Sequence, residues 1–337
     1  MIKVKIIKPP IPILFLDTNF FIDLVQNRYN PIKSTHYKDE LYLVDLITRL
    51  TKEKKLLCPQ GDQEEEYELG AKYEDEIRGE QVQLSLGIRA MHHYGVQKYQ
   101  TQIAIRGFIK GDIKLTYDYR SIFLNDPIRE LESQLKQRFI VSAHIPTHKI
   151  LLDKSRKTKR ELADEFEKMR QEKAKLKVKY GDWVVHETRG TLDAIITTLK
   201  SVLPKKLFAQ PFSEEDINGL QELGDLLAYY EHYSGKQASI KDIADFLKSE
   251  YYSTIPYIAV QSRLYASMWV QSGRIKESDN FDFHQASQML PYAVYYLTDS
   301  AFKHRITTNP VNLDKKYKVM AFSLKETQDL IKILEKL

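Results

Sequence analysis

The sequence predicts an α/β protein in which a parallel sheet flanked by helices is interrupted by a large, mainly helical insertion. Two observations carry this. Short apolar runs near both ends of the chain stop at polar or acidic residues and lead into helix-forming segments, whereas from about residue 80 to about residue 272 the apolar spacing is that of helices. Strand then helix, repeated, implies parallel pairing through right-handed crossovers.

The first strand is Ile11 to Leu16, an apolar run stopped by Asp17-Thr18-Asn19 and followed by a helix over Phe20 to Gln26. Lys55 to Cys58 is the second, stopped by Pro59 and followed by a helix over Gln63 to Leu69. A third, Val294 to Leu297, stops at Thr298-Asp299 before a helix over Ser300 to Ile306. The last strand, Tyr317 to Phe322, leads to Ser323 and Glu326, spaced as a capping box for an amphipathic closing helix carrying Leu330, Ile331, Leu334 and Leu337. Inside the insertion, Ser239 and Asp242 form a second such box ahead of Ile243, Phe246 and Leu247, and Tyr257 to Val270 is an apolar helix. The chain thus divides into residues 1–79 and 273–337 as two halves of one core, and 80–272 as the insertion.

Charge narrows the function. With 51 Lys and Arg against 46 Asp and Glu, the net charge of +5 is small for 337 residues, so any basic surface is local. Between Lys154 and Lys179 eleven basic residues face five acidic ones, a difference of +6. The bland expectation for that stretch is a solvated helix laced with charge pairs; the sharper one is a nucleic-acid tract using Lys157, Lys159, Arg160 and Lys173. Cys58 is the sole cysteine, which removes internal disulfides and thiolate zinc clusters and suggests a reducing setting. No signal peptide or membrane-length apolar run is seen, so a cytoplasmic protein is expected and no membrane partner. Phosphate loops, dinucleotide fingerprints, serine-hydrolase elbows and zinc-protease helices are absent. Pro146 separates His144 from His148 and forbids the helix that would align them as ligands.

Acids stand where chemistry is expected. In an open parallel sheet, ligands gather beyond the carboxyl ends of the strands. Asp17 and Asp299 occupy such ends, Glu64 to Glu66 follow another, and Asp282 falls in the first turn of a helix opened by Ser278, Asp279 or Asn280 and running to Gln288. Asp17 and Asp299 are equally suited to cap the helices they precede. Carboxylates crowded on one rim repel unless a cation joins them, and an all-oxygen set suits Mg²⁺ or Mn²⁺, which can stabilise the attacking and leaving oxygens of a phosphodiester displacement.

The ordered segments Ile13 to Asp23 (ILFLDTNFFID), Leu56 to Tyr67 (LLCPQGDQEEEY) and Phe281 to Asp299 (FDFHQASQMLPYAVYYLTD) resemble the motifs of the PIN-domain nucleases. The resemblance covers roughly the first 75 and last 80 residues of the sequence. It implies a PIN-like core, with Asp17, Asp282, Asp299 and Glu65, or its neighbour Glu66, as metal ligands, and with Thr18, Asn19 and Thr298 as supporting polar groups. Ala286 is matched to a small-residue contact. The activity implied is metal-dependent hydrolysis of phosphodiester bonds with Mg²⁺ or Mn²⁺, on RNA in preference to DNA. Val294 departs from the pattern, since many relatives carry a further Asp there. That departure keeps open a second expectation, a degenerate PIN-like module that binds nucleic acid or a partner without cutting. The insertion offers a surface for a protein partner.

Overall fold

A computed structural model describes the chain except residues 30–36, 62–72, 138–148, 209 and 272, and for 149–156 describes the backbone alone. Helices predominate and the sheets are small and parallel, which keeps the α/β class. In chain order the elements are β1 (Lys3–Ile7), β2 (Leu14–Leu16), α1 (Thr18–Tyr29), α2 (Tyr37–Lys52), α3 (Glu74–Ser85), α4 (His93–Lys110), β3 (Lys114–Asp118) and α5 (Pro127–Gln134). The middle continues with α6 (Lys149–Lys175), α7 (Tyr180–Thr188), α8 (Gly190–Leu207), α9 (Glu214–Ser234), α10 (Ile240–Lys248), α11 (Glu250–Ser253) and α12 (Pro256–Val270). The chain closes with α13 (Asp279–Met289), β4 (Tyr295–Thr298), α14 (Ser300–Thr307), α15 (Leu313–Tyr317), β5 (Met320–Ser323) and α16 (Thr327–Leu334).

The main sheet has the order β2-β4-β5, all parallel, with Leu14 opposite Tyr295 and Tyr295 opposite Met320. Two isolated parallel bridges extend it on the β2 side. Ile13 pairs with Leu57 and Gln60 with Arg89, held by Leu14 N–H to Leu57 O at 2.8 Å and Ala90 N–H to Gln60 O at 2.8 Å. Across the sheet the order is therefore 88–90, 57–60, β2, β4, β5. Successive strands move outward in one direction from β2, and then the chain returns to the other side of β2 for β4 and β5. The direction of winding reverses between β2 and β4.

The strands are apolar on both faces because both faces are covered. Leu14, Leu16, Tyr295, Leu297 and Phe322 pack with Phe21, Leu24, Leu43, Ile47 and Leu330 of α1, α2 and α16. Ile13, Phe15 and Tyr296 face the opposite way and join Phe283, Ala286 and Phe302 in the larger core. That core continues without a break through Val96, Ile105, Trp183, Phe246 and Leu264, so the helical middle of the chain is packed onto the sheet.

Three expectations need correction. Only Leu57 of the run Lys55 to Cys58 pairs directly with the first strand, because Pro59 ends the run before a ladder can lengthen. Tyr317 ends the short helix α15, and the last strand starts at Met320, after Lys318 has turned through a left-handed conformation with φ +55°. The helical middle also contains a strand, β3, paired in parallel with β1 from Lys3↔Lys114 to Ile7↔Asp118. Charged and apolar residues alternate in β1, a pattern too polar for the sheet's interior; it is a half-buried edge strand whose Ile6 and Ile7, with the preceding Ile2, lean on the core. The helix expected over Gln63 to Leu69 lies outside the described residues.

Candidate functional site

Asp17 and Asp299 end adjacent strands at the place where the winding reverses. In a doubly wound sheet that reversal opens a crevice, because the crossovers on either side depart in opposite directions. Leu16 pairs with Leu297, and Asp17 N–H donates to Leu297 O at 2.9 Å, so the two turns start level with each other. Asp17 is only 3% exposed. The Thr298 hydroxyl donates to its Oδ2 at 2.6 Å, with the Asn19 amide group farther away at 3.4 Å. Burial pushes the Asp17 carboxyl well above the ordinary carboxylate range. The Thr298 hydroxyl opposes that shift and the like charge of Asp299 adds to it, and no described cation offsets either.

Asp299 has a second occupation. Its Oδ1 accepts from Ala301 N–H at 2.7 Å and Phe302 N–H at 3.1 Å, which makes it the N-cap of α14. The capping expectation is met through Oδ1, and the other oxygen is not used by the helix. Lys303, one turn on, is drawn away to Glu326, which also closes the capping box with Ser323. Thr18, next to Asp17, has a buried hydroxyl with no hydrogen-bond partner among the described residues.

Asp282 lies in the first turn of α13, as expected, and is 7% exposed. The helix start is fixed by a different acid: Asp279 accepts from Lys276 N–H at 3.0 Å and pairs with Arg305 of α14 at 3.3 Å. Phe283 meets Phe302 at 6.4 Å between ring centres, and Arg305 lies over the Phe283 ring at 4.9 Å. These contacts set the acidic first turn of α13 against the helix that Asp299 caps. Ala286 is fully buried in the larger core.

Glu64, Glu65 and Glu66 lie outside the described residues, and so do His144 and His148. No three described His, Cys, Asp or Glu side chains come close enough together to hold a metal ion. The structure thus brings Asp17, Thr298 and Asp299 into one corner and sets Asp282 on the neighbouring helix. One further acid stands on α1. Asp23 is half-buried, and burial raises its carboxyl. It shares a face of α1 with Asn19, four residues earlier, a spacing visible in the sequence.

The basic stretch divides. Lys157 and Arg160 are exposed and pair loosely with Glu161 at 3.7 Å and Glu277 at 3.4 Å. Lys159 is 5% exposed, with its ammonium 3.9 Å from the centre of the Phe281 ring. Lys173 sits 3.7 Å from the Trp269 ring centre and 4.8 Å from that of Trp183, with Glu187 at 3.1 Å. Lys159 and Lys173 do not face phosphate as expected; they are built into the protein by cation–π contacts. Helical periodicity turns them inward, which a charge count along the chain does not reveal.

Comparison with protein-family models, curated proteins and solved structures finds no match to this chain. Among the described residues no helix is long and apolar enough to cross a membrane.

Proposed function

We propose that this chain is a metal-dependent nuclease with a PIN-like core, hydrolysing phosphodiester bonds with RNA as the favoured substrate. The observation that supports this best is Asp17, a carboxylate buried at the switch point beside Asp299 and offset by no described cation. Keeping such a group charged is costly unless a cation joins it. The donor types are those a hard divalent ion takes, carboxylates at Asp17 and Asp299, another at Asp282 on the adjoining helix and the buried Thr18 hydroxyl, although the three described acids do not gather within reach of one ion. Glu65, or Glu66, completes the proposed set. When bound, Mg²⁺ or Mn²⁺ would supply the positive charge that a phosphodiester needs as it is attacked.

The chain's own residues do the positioning. Thr298 fixes the orientation of the Asp17 carboxylate through Oδ2, and the cap that Asp299 makes on α14 holds its carboxyl at a set height above β4. Asp279 and Arg305 keep the first turn of α13 from rotating away. Protons and cations compete for Asp17, so metal affinity is expected to rise with pH. Of the four basic residues named for phosphate contact, Lys157 and Arg160 are the exposed pair.

The direct test is a titration of Mg²⁺ and of Mn²⁺ against single-stranded RNA and DNA. Cleavage that requires the ion and is abolished by Asp17→Asn supports the reading; cleavage that survives excess chelator removes it. A non-cleaving PIN-like module remains the second reading, favoured by Val294 and by the failure of three described acids to gather. Metal-independent binding of the same strands without cleavage would select it.

A further inference from the structure

Four aromatic rings, three of them consecutive in sequence and one from α13, form a cluster with an exposed edge. His284 of α13 is tilted against His93 with 4.5 Å between ring centres, and His93 in turn meets His92 at 4.2 Å and Tyr94 at 4.5 Å, both tilted; His92 and Tyr94 lie 5.4 Å apart with 19° between planes. His93 is buried and His284 half-buried, whereas His92 is exposed and Tyr94 is 62% exposed. The inner end is firmly held. The Tyr257 hydroxyl lies 2.5 Å from His284 Nδ1, Tyr257 N–H donates to Gln100 at 2.9 Å, and Gln100 donates to the Tyr292 hydroxyl at 3.1 Å. The outer end is set by the start of α4, where Tyr94 N–H donates to His92 Nδ1 at 3.4 Å. Tyr94 also stands near Tyr265, whose hydroxyl is bonded to Asn280 in the first turn of α13.

We infer that His92 and Tyr94 form a stacking platform for an unpaired base of a single-stranded nucleic acid. The acidic site's part in cutting such a strand rests on the nuclease reading; base binding itself is separately testable. An exposed ring gains little by burial, and holding it still has an entropic cost that a core role does not explain. A fixed π face open to solvent is what base stacking uses, and every base has such a face. In a duplex the base faces are already covered by their neighbours, so the platform selects single strands. Asp282 and His284 are two residues apart on α13 and point to roughly opposite sides of it. The stacked base would therefore lie across the helix from the acids, away from the bond to be cut.

Binding is measured with the full chain in excess chelator, so that no strand is cut. The probes are a short single-stranded RNA and a single-stranded DNA of the same sequence, each carrying one 2-aminopurine, and the RNA as a duplex. Wild type is expected to bind a single strand more tightly than the duplex and to quench the probe. Tyr94→Ala should weaken single-strand binding by about tenfold and relieve the quench, while Tyr94→Phe keeps both. An unchanged Tm for Tyr94→Ala would show that the fold is intact. Equal binding by Tyr94→Ala and wild type, equal binding of duplex and strand, or no binding by wild type would each overturn the platform. If Asp17→Asn leaves cleavage intact while the platform results hold, the nuclease site fails and the platform stands.

Discussion

At the scale of single residues, Asp17 carries the most information. Its folded carboxyl is raised above the unfolded value of about 4, so folding takes up a proton in the window between the two. The stability Asp17 contributes is full below the unfolded value and is lost as pH rises through the folded one. In the metal-free protein, wild type should lose stability relative to Asp17→Asn across that window and run parallel to it outside. Chemical denaturation of both at a series of pH values checks this, and a constant difference would show that Asp17 titrates normally. Asn can still accept from Thr298, so the metal-free Tm of Asp17→Asn should equal or exceed that of wild type. Its cleavage rate should fall by on the order of a hundredfold or more. A variant that unfolds instead would mark Asp17 as a structural acid.

Elements separate roles that single residues combine. Asp299 caps α14 and is also a proposed ligand, and two substitutions distinguish these duties. Asp299→Ser should keep the cap and the stability while losing cleavage; Asp299→Ala should in addition cost about 0.5–2 kcal/mol of stability. Equal activity in Asp299→Ser and wild type would leave only the cap. Helix α6 divides in the same way. Lys159→Gln and Lys173→Gln remove ammonium groups seated on Phe281 and on Trp269 and Trp183, so each should lower stability by about 0.5–2 kcal/mol. Lys157→Gln with Arg160→Gln should leave Tm unchanged and flatten the salt dependence of nucleic-acid binding by about one unit for each phosphate that no longer meets a cation. An unchanged salt slope would make this face of α6 a solvated surface.

Whole-molecule behaviour is where the metal should be seen without any assay of cleavage. An ion that binds only the folded chain stabilises it by mass action, by about 2.7 kcal/mol at a hundred times its dissociation constant. Mn²⁺ or Mg²⁺ should therefore raise the Tm of wild type and not that of Asp17→Asn. The same shift in both would locate the ion elsewhere. In the wider architecture the winding reverses between β2 and β4, and Asp17 and Asp299 lie at that reversal. A second feature at this scale is the larger of the two cores, which joins the helical middle to one face of the sheet, so damage at α4 or α12 should be felt at the strands.

Local signals determined much of this protein. The strand ends at Asp17 and Asp299, the capping boxes at Ser239 and Ser323, and helices α12 and α13 were all readable, because each depends on interactions within a few residues. The α/β class followed from the order of those elements. Tertiary structure decided what depends on partners distant in sequence. β1 has no role that its own residues reveal until β3, over a hundred residues later, supplies its backbone hydrogen bonds. Lys159 and Lys173 read as solvated cations until Phe281 and Trp269 come under them. His92 and His93 are ordinary histidines until α13 brings His284 against them. The acids were identifiable as residues, yet which of them share a corner was set by the pairing of β2 with β4, a register that neither segment encodes alone.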